Sequence, residues 1–124
     1  MKPTLIIADD VDVIRRELHR GLHGEFDIVA EATDGQEAFD LARQHKPQLI
    51  VMDVVMPRMS GIEATRLLLL DRSPSQPKIV ILSGLRDESV VMQAIEAGAS
   101  DYLFKPVDME KLRKVLWGFL RSVA

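Results

Sequence analysis

A chain of 124 residues, 47% of them hydrophobic and none a cysteine, can bury a domain-sized core without disulfides or thiolate-ligated metal. Its formal net charge of -3 offers no broad basic surface, so direct nucleic-acid binding is not expected. The amino terminus lacks a charged segment followed by a long apolar run, which points to a cytoplasmic protein without membrane insertion.

No repeat, low-complexity stretch or composition shift divides the chain, so residues 1–124 read as one domain. TLIIA (4–8) reads as a buried strand that runs into two adjacent carboxylates, Asp9 and Asp10. Ile14, Leu18 and Leu22 then recur every four residues, a helical stripe that stops near Gly24. FDIVAEA (26–32) has the polar–apolar mixture of a strand at the sheet margin. Asp34-Gly35 is a turn, and GQEAFDLARQH (35–45) a helix with Ala38, Leu41 and Ala42 inward, ended by Lys46-Pro47. QLIVM (48–52), the most apolar strand, ends in Asp53. A loop broken by Pro57 and Gly61 leads to a helix through Leu70, and 71–77 is a surface connection. The LLLL run (67–70) must expose at least one leucine. KIVIL (78–82) ends at Ser83-Gly84. A helix around 87–97 places Val91, Ala94 and Ile95 on one face, with Met92 beside them as core filling and Gly98 as its stop. DYLF (101–104) ends at Lys105-Pro106, and a last helix, about 108–121, packs through Leu112, Val115, Leu116 and Phe119.

Five strand–helix units in succession imply an α/β fold, a doubly wound five-stranded parallel sheet with helices on both faces. The continuous apolar strands suit burial from both sides. In a parallel sheet the carboxyl ends of the strands share one edge, where ligands bind. Asp9, Asp10, Asp53, Ser83 and Lys105 all fall there. Taken singly, an Asp after a strand reads as a helix N-cap. Jointly the pattern differs, because polar groups close four strands and spare the marginal one. Unit charges about 4 Å apart interact by roughly 4 kcal/mol at an effective dielectric near 20. One lysine cannot offset three carboxylates on that scale. A hard divalent cation can, and magnesium, or manganese, suits such oxygen ligands.

The motifs IIADD (6–10), MDVVMPRMSG (52–61), ILSG (81–84) and AGASDYLFKP (97–106) occur in one order across the chain. In them the sequence resembles the receiver domain of a two-component response regulator, with its flavodoxin-like, CheY-like (βα)5 fold. That resemblance implies a switch rather than a turnover enzyme. Asp53 would accept a phosphoryl group from a phosphohistidine on a sensor histidine kinase or phosphotransfer protein. Asp10 and Asp53 would ligate Mg²⁺, with Asp9 helping directly or through water and the main-chain carbonyl of Val55 as a third protein ligand. Ser83 and Lys105 would each bond a phosphoryl oxygen, and Lys105-Pro106 would be cis. Tyr102 would swing inward on activation, changing the surface of the last two helices and the fifth strand. That surface would serve a downstream partner, a fused output domain or a homodimer.

Two rivals share the architecture. An aspartate-nucleophile phosphatase, as a class, places a second Asp two residues after the first. Here that residue is Val55. A flavodoxin-like cofactor binder needs a phosphate-cradling loop after the first strand, but ADDVD (8–12) repels phosphate unless a cation intervenes. Strand alternation puts Tyr102 and Phe104 on one face. Trp117 falls well off the core stripe of its helix, which marks it as a candidate interface anchor or as a side chain packed on its own helix neighbours or a chain extension. Gly84 stands where Ala would be ordinary for the family.

Overall fold

Strand and helix alternate five times along the chain: β1 (Thr4–Ala8), α1 (Asp12–Leu22), β2 (Asp27–Ala32), α2 (Gly35–His45), β3 (Leu49–Met52), α3 (Gly61–Leu68), β4 (Lys78–Ser83), α4 (Glu88–Glu96), β5 (Asp101–Phe104) and α5 (Met109–Arg121). This computed structural model describes residues 1–71, 74 and 76–121. All neighbouring strands pair in parallel, in the order β2-β1-β3-β4-β5. The order reverses between β1 and β3, and in sheets of this kind ligands bind outside the carboxyl ends at that point.

Side-chain alternation sorts the apolar strands into two layers. Ile6, Ala8, Ile50, Met52, Ile79, Ile81 and Tyr102 face α2, α3 and α4. Leu5, Ile7, Leu49, Val51, Val80, Leu82 and Leu103 face α1 and α5. Both faces of β3 are therefore buried, and each of its residues is at most 1% exposed. The marginal β2, expected to mix polar and apolar residues, lies at the sheet edge beside β1.

Local signals set the helix ends. The Asp34 carboxylate accepts from Glu37 N at 2.7 Å and caps α2, while Ser60 Oγ accepts from Glu63 N at 3.1 Å and caps α3. Lys46, at φ 49°, closes α2 in the left-handed region before Pro47. Gly98 takes φ 109°, a value that L side chains rarely adopt, and turns the chain from α4 toward β5.

Four expectations change. The third helix ends at Leu68 rather than Leu70, and Leu70 is the exposed leucine of the run. On α4, Ile95 and Met92 are 47% and 53% exposed, so neither fills the core. The inward stripe is instead Val90, Val91, Ala94 and Ala97. Its small residues bring the helix close to the sheet, and Ile95 and Met92 lie about 100° and 200° around the helix from Ala94. Trp117 is half-buried rather than free. Its ring packs on Phe26 with centroids 5.3 Å apart, and its Nε1 donates to Glu25 at 2.7 Å. Part of the predicted 71–77 connection, residues 72, 73 and 75, lies outside the described residues.

Candidate functional site

The ladder runs one residue past the ends of β1, β3 and β5, and those extra residues belong to the site. Asp9 N donates to the Ala32 carbonyl at 3.0 Å, Asp53 N to Ala8 at 3.0 Å, and Lys105 N to Ser83 at 2.9 Å. Backbone pairing thus fixes three of the five polar groups before their side chains are considered. Asp9 and Asp53 are 1% and 7% exposed, while Asp10 is exposed. One carboxylate oxygen from each of Asp9, Asp10 and Asp53 lies within 4.8 Å of the others.

Each buried carboxylate is held at both oxygens. Asp9 Oδ1 accepts from Val11 N at 2.9 Å and Asp53 Oδ1 from Val54 N at 2.7 Å. Lys105 Nζ donates to their Oδ2 atoms, at 2.8 Å to Asp9 and 3.0 Å to Asp53. Burial would lower the Lys105 pKa, but its bonds to Asp9 and Asp53 prevail and raise it above 10.5. This ammonium stays charged throughout the physiological range. The set still holds three carboxylates against one ammonium, all hard oxygen donors, two of them desolvated. That composition fits a hard divalent ion.

Ser83 ends β4, 1% exposed, and its Oγ accepts from Leu85 N at 3.3 Å. The Tyr102 hydroxyl donates to the carbonyl of the same Leu85 at 2.7 Å. Tyr102 is thus already inward, 9% exposed, and packs edge-on against Phe104 with ring centroids 5.6 Å apart. The shared face of these two aromatics matches the strand parity. Arg86 caps the pair, its guanidinium carbon 4.5 Å from the Phe104 centroid. The Lys105-Pro106 bond is cis, as expected. Val55 follows in the β3–α3 loop with its side chain 59% exposed.

Three contributors escaped sequence reasoning. Leu85 links Ser83 to Tyr102 through main-chain atoms, which leave no side-chain signal. Arg15 Nη1 donates to the Asp9 carbonyl at 2.8 Å. Its pairing with Asp12, three residues earlier on α1, was the legible trace of it. Gly61 passes so close to the Asp53 carbonyl that a Cβ there would stand 1.9 Å from the oxygen. The sequence marked it only as a breaker.

Tyr102 is the sole tyrosine, so its ionisation can be followed directly by phenolate absorbance. Burial raises its pKa above 10.0, the nearby Ser83 side chain opposes that shift, and the Asp53 and Asp87 charges add to it. The folded protein therefore keeps the phenol proton longer than the unfolded chain. The resulting stability is complete below pH 10.0 and declines as pH rises through the folded-state pKa. Absorbance titration should give a midpoint above 10.0, and Ser83→Ala should move it further up. An unshifted midpoint, or a fall in the variant, would contradict this geometry.

Residues 5–116 match the family model of the response regulator receiver domain. The transcriptional regulatory protein PdtaR of Mycobacterium tuberculosis is 42% identical over 109 residues, which cover 87% of this chain and 52% of that protein. The chemotaxis protein CheY of Bacillus subtilis is 32% identical over 117 residues, 94% of this chain and 96% of CheY. The signal receiver domain of the response regulator NarL from Mycobacterium tuberculosis has a TM-score of 0.91 at 25% identity, with 98% of each chain covered. The chain spans about half the length of several curated relatives, 51% of LnrK from Bacillus subtilis and 47% of DegU from Brevibacillus brevis. No helix among the described residues is long and apolar enough to cross a membrane. With that match running from β1 into α5, the chain belongs to the response regulator receiver domain family.

Proposed function

We propose that residues 1–124 act as one phosphorylation-dependent switch, with Asp53 as the phosphoryl acceptor. The observation that carries this reading is the convergence of Asp9, Asp10 and Asp53 within 4.8 Å, with Lys105 bonded to two of them. A carboxylate can act as nucleophile and form an aspartyl-phosphate. An Asp53 oxygen attacks the phosphorus of a partner's phosphohistidine; the O–P bond forms as the N–P bond breaks, and its electron pair returns to the imidazole. Asp9, Asp10, Asp53 and the Val55 main-chain carbonyl would hold Mg²⁺. When bound, that ion supplies neutralisation of phosphoryl oxygen charge. Lys105 adds a positive donor at the same edge, and Ser83 a hydroxyl.

Val55 argues against the phosphatase reading. An exposed aliphatic side chain two residues past Asp53 supplies no proton-transfer group, so the phospho-form persists, which suits a signal. The loop after β1 offers carboxylates in place of a phosphate cradle, which disfavours a flavodoxin-like cofactor.

The readout runs through Leu85. A phosphoryl group adds up to about two negative charges and strong acceptor oxygens. Drawing Ser83 toward it disturbs Leu85 N, and the same residue's carbonyl anchors Tyr102. Exposed Met92, Ile95 and Phe104 lie on the α4–β5 side that would feel the change, and they offer apolar contact area to a partner. The chain spans about half of a transcriptional regulatory protein and nearly all of a chemotaxis protein, which suits either a fused output domain or a separate partner. The test is phosphoryl uptake from a small phosphodonor with Mg²⁺, read by intact mass against Asp53→Asn.

Gly84 tunes persistence. A Cβ there meets nothing within 4 Å, so Gly84→Ala fits without strain and should change stability by less than about 0.5 kcal/mol. The added methyl shields the phosphoryl edge from water and should slow dephosphorylation. Identical decay traces for the two proteins would remove this role.

A further inference from the structure

Away from the acidic cluster, His19 and His23 stand one helical turn apart on α1, where residues four apart share a face. Helical geometry continues through His23, at φ −64° and ψ −20°. The two rings stack with centroids 5.5 Å apart and planes inclined by 20°. A carboxylate fixes the first of them. His19 Nδ1 lies 2.9 Å from Oε2 of Glu31 on β2. An ionised carboxylate only accepts, so Nδ1 carries the proton and donates it. Neutral His19 then presents its Nε2 lone pair to an outside ligand. His23 has no hydrogen-bond partner for its ring among the described residues.

A histidine that donates one ring N–H to a carboxylate while its other nitrogen remains open has the arrangement of a metal-bound histidine. Two Zn–N bonds of about 2.0–2.1 Å bridge nitrogens at most about 4 Å apart, within reach of these stacked rings after a modest side-chain rotation. Charge helps select the ion. Lys2, Arg16 and Arg20 line the hollows around the pair together with Asp27 and Glu31, so no strong negative field gathers hard cations there. Binding must come from imidazole coordination, which favours Zn²⁺, Ni²⁺ or Cu²⁺ over Mg²⁺ or Ca²⁺. The carboxyl end of α1 adds the favourable end of its dipole.

The geometry points to a second cation site: His19 and His23 together bind one borderline transition-metal ion of the Zn²⁺ class, with Glu31 orienting His19 and water completing the shell. Bound there, the ion would brace the end of α1 against β2, where Arg15, nearer the start of the helix, also contacts Glu31 at 3.6 Å.

The experiment is a calorimetric titration of the untagged chain with zinc chloride, in excess Mg²⁺ to occupy the acidic oxygens. One Zn²⁺ per chain is expected. Removing an orienting carboxylate costs about 10–100-fold in metal affinity, so Glu31→Gln should weaken binding by about tenfold or more. His23→Gln, which deletes a direct ligand at an exposed position, should weaken it further; circular dichroism verifies that the variant is folded. In proton spectra the ring signals of His19 and His23 should shift, and those of His45 should not. Equal zinc affinity in wild type and His23→Gln would overturn the site. So would absence of binding, or a loss caused by Asp10→Asn and not by His23→Gln, which would assign the zinc to the acidic cluster.

Discussion

Asp53→Asn should take up no phosphoryl group under conditions in which the wild type should gain one by mass. The substitution is nearly isosteric, so the cause is chemical. An amide oxygen lacks the anionic charge that makes a carboxylate a competent nucleophile. The surroundings should survive the change. Val54 N can still donate to the Oδ1 position, and Lys105 keeps Asp9, its partner at 2.8 Å. Removing one of three mutually repelling carboxylates also relieves like-charge strain, so stability should hold or rise slightly. Intact mass spectrometry with Mg²⁺ and a small phosphodonor reads the result. Equal uptake by both proteins, with the label on Asp9 or Asp10, would relocate the acceptor and end the present assignment.

Gly61→Ala should damage both fold and chemistry. The added methyl would lie 1.9 Å from the Asp53 carbonyl oxygen and 3.0 Å from Met52 Cγ. The nearer obstacle is main chain, so no rotamer change can relieve it. Gly61 is pinned from both sides, its N donating to Val54 O at 2.9 Å and its carbonyl accepting from Thr65 Oγ1 at 2.8 Å. Overpacking of this kind costs about 3 kcal/mol, or roughly 10 °C of melting temperature for a domain of this size. The displaced atom belongs to Asp53, the proposed acceptor. A misplacement of about 1 Å can cost about 100-fold in rate, so phosphoryl uptake should slow far more than the stability loss explains. Thermal unfolding and uptake rates, measured beside the unstrained Gly84→Ala, separate the two effects. A melting temperature equal to wild type would refute the close approach.

Asp9, Asp53, Ser83 and Lys105 were legible because a parallel sheet delivers strand ends to one edge whatever the side chains do. Ala32, Ala8 and Ser83 place Asp9, Asp53 and Lys105 through backbone bonds that any sequence would form. Apolar run length gave the strands, since strands covered on both faces need no alternation. What stayed hidden depended on distance across the fold. Trp117 looked exposed from its angle on α5, yet Phe26 and Glu25, about ninety residues away in sequence, cover part of it. Ile95 and Met92 carried apolar character inward by rule, but Ala94 and Ala97 let α4 settle on a different stripe. The Leu85 connection was invisible because peptide groups are the same at every position.

The chain's one tyrosine and one tryptophan belong to opposite layers of the sheet, Tyr102 with α2, α3 and α4, and Trp117 with α1 and α5. Nature has in effect installed two separate optical probes, one per hydrophobic compartment. Phenol absorbance and indole emission can therefore assign any ligand-driven rearrangement to its own side of the molecule, with no label attached.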